Sequence, residues 1–343
     1  MKLKSTFAIC ILLSLAGCRS QGNIVNNDSD PADNKVVVAY VTSWSDIMPD
    51  PKYMTHINYA FGHVSETFDG VGIANPDRLA KIAQLKENAP DLKVLLSIGG
   101  WGSGRFSEMA ADSLNRLSFA ADCRKVVDQY GLDGIDIDWE YPTSNAAGIS
   151  SSPDDTSNFT KLMRDIRAAI GPDKQLTLAT VDNANFIDFK GILPYIDFVN
   201  TMSYDMGNPP YLHSGLYDSR NTNGHTTDAS VRAHLTAGVP PSMIVVGMPF
   251  YGRGHGTFHS FAEYGKMDKL PEGYSELWDD EAKVPYITDA EGNLVLGFEN
   301  ARSIAIKCDY VKDNGLRGAM YWEYSNDDEN STLRTTVADN ILK

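Results

Sequence analysis

From Lys35 onward, short runs of β-branched and apolar residues alternate with stretches in which apolar residues recur at every third and fourth position. The first kind suits strands buried on both faces, and the second suits amphipathic helices. Eight strands are predicted: Val36–Thr42, His56–Val64, Lys93–Ile98, Gly134–Glu140, Gln175–Val181, Phe198–Tyr204, Met243–Met248 and Gly318–Tyr324. Helical periods fall between several of them, over Pro76–Glu87, Arg105–Gln129, Thr156–Ile170, Ala229–Ala237 and Ala301–Asn314. Such alternation specifies parallel strands joined by crossover helices, and eight units predict a closed α/β barrel of the (β/α)8 TIM type. A length of 343 residues would hold two average domains, but a barrel of this kind takes up roughly 250 residues or more as one unit. The barrel is placed at 35–343. Within it, 254–300 is polar, aromatic-rich and too long for a βα loop, so a short insertion after the seventh strand is expected.

Ahead of the barrel the pattern changes. Lys2 and Lys4 precede an apolar run from Phe7 to Leu15, followed by the small residues Ala16 and Gly17, the layout of a secretory signal peptide. The run is too short to span a bilayer. Leu15, Ala16, Gly17 and Cys18 resemble the lipobox of bacterial lipoproteins, which implies a signal at 1–18, lipidation of Cys18 and attachment to a membrane through that anchor alone. An ordinary cleavable signal with an incidental cysteine is the plainer alternative. Residues 19–34, rich in Asn, Asp and Ser, read as a flexible tether. The expected location is therefore outside the cytoplasm, periplasmic or at the cell surface.

Composition narrows the partners. Thirty basic against 45 acidic residues give a formal charge of -15 with no basic run, so nucleic acid and anionic membrane surfaces are excluded as partners. The four cysteines, Cys10, Cys18, Cys123 and Cys308, form neither a disulfide framework nor a zinc-ligand spacing. No metal and no cofactor is implied. A monomer is expected, since no heptad or apolar interface pattern is present.

The chemistry concentrates in DGIDIDWEYP, Asp133 to Pro142. A strand's period of two turns Asp136, Asp138 and Glu140 to one face and Ile135, Ile137 and Trp139 to the other. In a barrel the apolar set packs on the helices and the acids face inward, where unpaired charge is costly. A solvated edge strand would also fit the alternation, but the apolar density of the other strands argues that this one is central. Three neighbouring carboxylates raise one another's pKa, so a shared proton is expected. Glu140, last in the row, lies at the carboxyl end of its strand, where barrel enzymes assemble their sites, and is the natural general acid. An acid beside a carboxylate is the pairing that cleaves glycosidic bonds. Spacing does not fix the stereochemistry, because two residues along a strand are about 6.6 Å apart, between the retaining and inverting ranges.

DGIDIDWE resembles the DxxDxDxE signature of glycoside hydrolase family 18, the chitinases and related endo-β-N-acetylglucosaminidases, with Asp133, Asp136, Asp138 and Glu140 in all four acidic positions. Further matches run along the chain: SIGGW (Ser97 to Trp101), the MxYD of Met202, Tyr204 and Asp205, Tyr251 and Arg253 in GMPFYGRG, and Trp322 and Glu323 in GAMYWEY. The resemblance implies a retaining mechanism in which the substrate's own N-acetyl carbonyl attacks the anomeric carbon. It implies that Glu140 is the acid and later the base, that Asp138 orients the acetamido group, and that Asp136 supports Asp138 and shares its proton. Tyr204 is implied as a donor to the acetamido oxygen, with Met202 and Asp205 near the same sugar. Trp322 is implied as the floor beneath the sugar being cleaved and Trp101 as a platform on the leaving side, because the apolar face of a pyranose stacks on aromatic rings. Tyr40, Phe61, Tyr141 and Arg253 complete the candidate binding residues; core packing for the aromatics and a structural Asp205–Arg253 ion pair are the alternatives. Ser97, Gly99 and Gly100 are expected to be scaffold. The reduced insertion suggests a shallow groove acting on soluble or flexible chains of chitin or chitooligosaccharide. An endo-β-N-acetylglucosaminidase acting on the N-glycan chitobiose core and a non-catalytic chitin-binding lectin remain as the other functions.

Overall fold

The computed structural model describes residues 35–267 and 270–343; the expected signal at 1–18, its Cys18 and the tether at 19–34 lie outside the described residues. Eight parallel strands close into a ring: β1 (Val36–Thr42), β2 (His56–Val64), β3 (Lys93–Gly99), β4 (Gly134–Asp138), β5 (Gln175–Val181), β6 (Phe198–Met202), β7 (Ile244–Pro249) and β8 (Gly318–Trp322). Each pairs with the next, and β1 pairs with both β2 and β8, so the (β/α)8 barrel is closed.

The period of two divides each apolar strand between two cores. In β1, Val37, Ala39 and Val41 belong to the layer between strands and helices, whereas Val36, Val38 and Tyr40 face inward with Phe198, Val245 and Met320. In β4 the outward set is Ile135 and Ile137, joined beyond the strand by Trp139, whose indole stacks on Phe106 at 5.3 Å and meets Phe159 edge-on at 5.6 Å. This is the division the alternation predicts.

Element ends differ from expectation where neighbours stop pairing. β4 ends at Asp138 rather than Glu140, because Gly99–Asp138 is the last rung with β3 and the Gly100 N–H caps the Asp138 carbonyl at 2.9 Å. Tyr204 and Tyr324 likewise lie past β6 and β8, and Met243 closes a 3-10 turn, Pro241–Met243, ahead of β7. The helix expected over 105–129 is two helices, Phe106–Ala111 and Ser113–Tyr130. Asp112 separates them with an extended backbone (φ −91°, ψ 130°) and accepts from the N–H groups of Leu114 and Asn115. The first helix, Pro76–Ala83, tightens into a 3-10 turn over Gln84–Glu87. Asp155–Ile170, Thr227–Ala237 and Ala301–Asp313 match expectation within two residues. A further helix, Thr332–Ile341, packs on Ala301–Asp313 and buries Leu333, Val337 and Ile341.

The insertion folds as an antiparallel sheet of five strands, beginning at Tyr251–Gly254, ahead of the expected Gly254, and continuing through Ala262–Glu263, Ser275–Asp279, Val284–Thr288 and Leu294–Gly297. Behind it the fully buried Lys307 pairs with the equally buried Glu299 and donates to the Ser214 carbonyl, fastening the insertion and the loop after β6 to helix Ala301–Asp313. Among the described residues no helix is long and apolar enough to cross a membrane.

Candidate active site

β4 aims Asp136 and Asp138 into the barrel and delivers Glu140 just beyond its carboxyl end. β3 can approach this closely because of its glycines. A Cβ on Gly99 (φ +132°) would fall 1.9 Å from the Asp138 carbonyl oxygen, and one on Gly100 (φ +92°) would fall 2.6 Å from the Phe61 ring.

Asp136 is fully buried in a polar layer. One oxygen accepts from the Tyr40 hydroxyl at 2.9 Å and the Ser97 hydroxyl at 2.7 Å; the other accepts from Thr177 at 2.6 Å and Asn200 at 3.3 Å. Burial raises its pKa and these four bonds pull part of the rise back. Asp138, also buried, has an Oδ1 with no hydrogen-bond partner among the described residues. Burial, then the charges of Glu140 and Asp136, hold its pKa well above the usual carboxylate range. Burial pushes Glu140 up to about 7, with the Tyr141 hydroxyl opposing and the charge of Asp205 adding to the rise.

Two expectations change here. No hydrogen bond joins Asp136 to Asp138 among the described residues; four neutral donors fill the acceptor sites of Asp136 instead. Ser97, expected as scaffold, is one of those donors.

All the other candidate residues line one pocket of about 700 Å³ at the carboxyl end of the barrel, and Asp136 lies beneath it. On the β8–β1–β2 side, Trp322 is stacked by Phe61 (centroids 5.6 Å apart, 17°) and backed by Tyr40 at 5.7 Å. Tyr40 and Phe61 are 1% and 8% exposed, so they underpin Trp322 and Asp136 more than they offer a surface of their own. On the β3–β4–β5 side, Trp101 is 65% exposed and stands 6.4 Å from Tyr141, which in turn stacks on Phe186 at 5.5 Å. Among the described residues the Tyr204 hydroxyl donates only to the Met320 sulfur, at 3.9 Å, a weak acceptor that a substrate oxygen in the pocket would replace, and Met202 packs at the base beside it.

Asp205 has a left-handed backbone (φ 57°) and is gripped by Arg253 through two nitrogens, one at 2.6 Å, and by the Tyr251 hydroxyl at 2.8 Å, with buried His213 3.6 Å away. Burial alone would raise its pKa, but the neighbouring His213 and the hydrogen bonds and charge of Arg253 outweigh that and hold the carboxyl well below its usual range. The pair is thus a tight ion pair that also lines the pocket.

The structure adds Trp44, Asp182, Asn208 and Phe261 to the lining, together with Tyr251 of the GMPFYGRG segment. Trp44 is 66% exposed and lies 6.4 Å from Trp322. Its signal, an aromatic immediately past a strand end, is the one that identified Trp101. Three peptide bonds around the pocket are cis: Ala60–Phe61, Glu140–Tyr141 and Trp322–Glu323. Among the described residues no group of three or more His, Cys, Asp or Glu side chains is placed to hold a metal ion.

The family description "Glycosyl hydrolases family 18" matches residues 36–327. Chitinase A1 of Niallia circulans is 29% identical, over 90% of this chain and 59% of its own length. An endochitinase of Manduca sexta is 29% identical, over 95% of this chain and 68% of its own. The chain thus spans under two thirds of the first relative and slightly more of the second. A solved family 18 N-acetylglucosaminidase from Paenibacillus barengoltzii is 34% identical with a TM-score of 0.81, covering 90% of this chain and all of that one.

Proposed function

The chain belongs to glycosyl hydrolase family 18, and on that footing we propose that it is a chitinase, hydrolysing β-1,4 linkages between N-acetylglucosamine units with the substrate's own acetamido group as nucleophile. Glu140 gives its proton to the glycosidic oxygen while the acetamido carbonyl oxygen attacks the anomeric carbon, forming an oxazolinium ion and releasing the leaving sugar. Asp138 holds the acetamido N–H and offsets the positive charge that develops. Tyr204 donates to the acetamido oxygen, and Asp205 and Trp322 hold the sugar. Glu140 then takes a proton from water, whose oxygen opens the oxazolinium with retention.

The observation that carries this reading is the buried Asp138 oxygen without a partner, next to an acid with a pKa of about 7, in an aromatic-lined pocket. A polar atom left unpaired inside a protein is destabilising unless a ligand completes it, and an amide N–H is the complement of a carboxyl oxygen. Trp322 on one side and exposed Trp101 on the other support binding of more than one sugar.

A second reading, release of N-acetylglucosamine residues, is favoured by the likeness to the Paenibacillus N-acetylglucosaminidase. Mass-spectrometric product analysis with chitohexaose and a high-mannose glycoprotein separates the functions. Dimers to tetramers from chitohexaose are expected; monomer alone would favour the second reading, glycans released from the glycoprotein alone an endo-β-N-acetylglucosaminidase, and binding without cleavage a lectin.

Export and lipid anchoring at Cys18 are part of the same proposal, supported by the LAGC segment and the apolar run before it. Cys18→Ala is expected to move the protein from the membrane fraction to the soluble fraction. Continued membrane retention of that variant would sink the anchor.

A further inference from the structure

Four carboxylates line the pocket, Asp138, Glu140, Asp182 and Asp205, against a single guanidinium, Arg253. Asp138 and Glu140 belong to the chemistry and favour their protonated forms. The charge of Asp205 is cancelled by Arg253. Asp182 has no part in the reaction as derived above. It follows β5 directly, its side chain is 15% exposed, and Oδ2 lies 2.7 Å from His225 Nδ1, while Oδ1 has no hydrogen-bond partner among the described residues. An Nδ1–H facing the carboxylate orients Asp182 from one side and leaves Oδ1 open to a ligand.

Barrel order says which sugar Asp182 meets. Trp101, Tyr141 and Asp182 follow the consecutive strands β3, β4 and β5, across the ring from Trp322 on β8. A sugar stacked on the Trp101 side has Asp182 at its edge. A carboxylate only accepts hydrogen bonds; it repels an acetyl carbonyl oxygen and pairs strongly with an ammonium group. The unit over Trp322 must keep its acetyl group, since that carbonyl is the nucleophile, but no such requirement binds the leaving side. The acidic excess of the whole chain adds a field that draws cationic chains into the cleft.

We propose that Asp182 is a specificity-determining residue that binds the ammonium group of a glucosamine unit on the leaving side of the scissile bond. The inference rests on the chitinase reading.

The test gives the full-length protein and its Asp182→Asn and Asp182→Glu forms both fully acetylated chitohexaose and a partly deacetylated chitosan, and sequences the new non-reducing ends by mass spectrometry. Wild type is expected to place glucosamine at those ends about threefold more often than Asp182→Asn, with Asp182→Glu retaining the preference. The ratio of kcat/KM on chitosan to that on chitohexaose is expected to fall about fivefold in Asp182→Asn, and to fall similarly for wild type as salt screens the charge. Equal glucosamine frequency in wild type and Asp182→Asn, or ends that are all N-acetylated, overturns the proposal and leaves the chitinase reading standing. Failure of wild type to cleave chitohexaose at all overturns the chitinase reading, and this proposal with it.

Discussion

Glu140→Gln is expected to lower kcat on chitohexaose by about a thousandfold or more while KM changes little. The amide has the same shape and keeps the pocket filled, but it has no proton to give the glycosidic oxygen. The pH profile supplies an independent check. With a carboxyl pushed up to about 7, wild-type kcat/KM holds below that pH and falls as the proton is lost above it; the residual activity of the variant has no such limb. Stability moves in the same direction. A pKa raised in the folded state means that Glu140 stabilises the fold at low pH, a contribution lost as pH rises from its ordinary 4.5 through about 7. Wild type is therefore expected to lose stability relative to Glu140→Gln across that window, read as a difference in melting temperature. A kcat within tenfold of wild type would remove Glu140 from the role of acid.

The second large effect belongs to Asp138. Asp138→Asn is expected to cut kcat by about a hundredfold to a thousandfold, with the loss confined to kcat, since a preorganised charge acts where charge develops in the transition state. Asparagine can still meet the acetamido group with a hydrogen bond, but it cannot become an anion beside the oxazolinium ion. Burial and the charges of Glu140 and Asp136 raise the Asp138 pKa well above the usual carboxylate range, so negative charge at Asp138 is best tolerated when positive charge faces it. Wild-type kcat in Asp138→Asn, measured under single-turnover conditions, would show that only hydrogen bonding at this position matters.

The acids and their neighbours differ in how legible they were. Asp136, Asp138 and Glu140 stand two apart on one strand, so their shared face follows from backbone geometry alone. Trp101 and Trp322 were recognisable as aromatics at strand ends within family motifs. Tyr40 was found too, but its job was not: a hydroxyl bonded to Asp136 is a contact between β1 and β4, 96 residues apart in sequence. The same holds for Ser97, Thr177 and Asn200, ordinary strand residues that only barrel closure gathers around one carboxylate. Asp182 carried no motif, and its place beside Tyr141 depends on the neighbouring of β4 and β5.

The pattern along the chain was enough for the barrel, because eight apolar runs with helical periods between them have few other ways to bury both faces of every strand. It also determined which strand carries the acids and which of them comes last, since a period of two along one chain is a local property. The surroundings of those acids are a different matter, because they form only with the closed ring. The pKa of a carboxyl depends on burial and on donors arriving from other strands, so the saturation of Asp136, the unpaired oxygen of Asp138 and the raised pKa of Glu140 come into being when the ring closes.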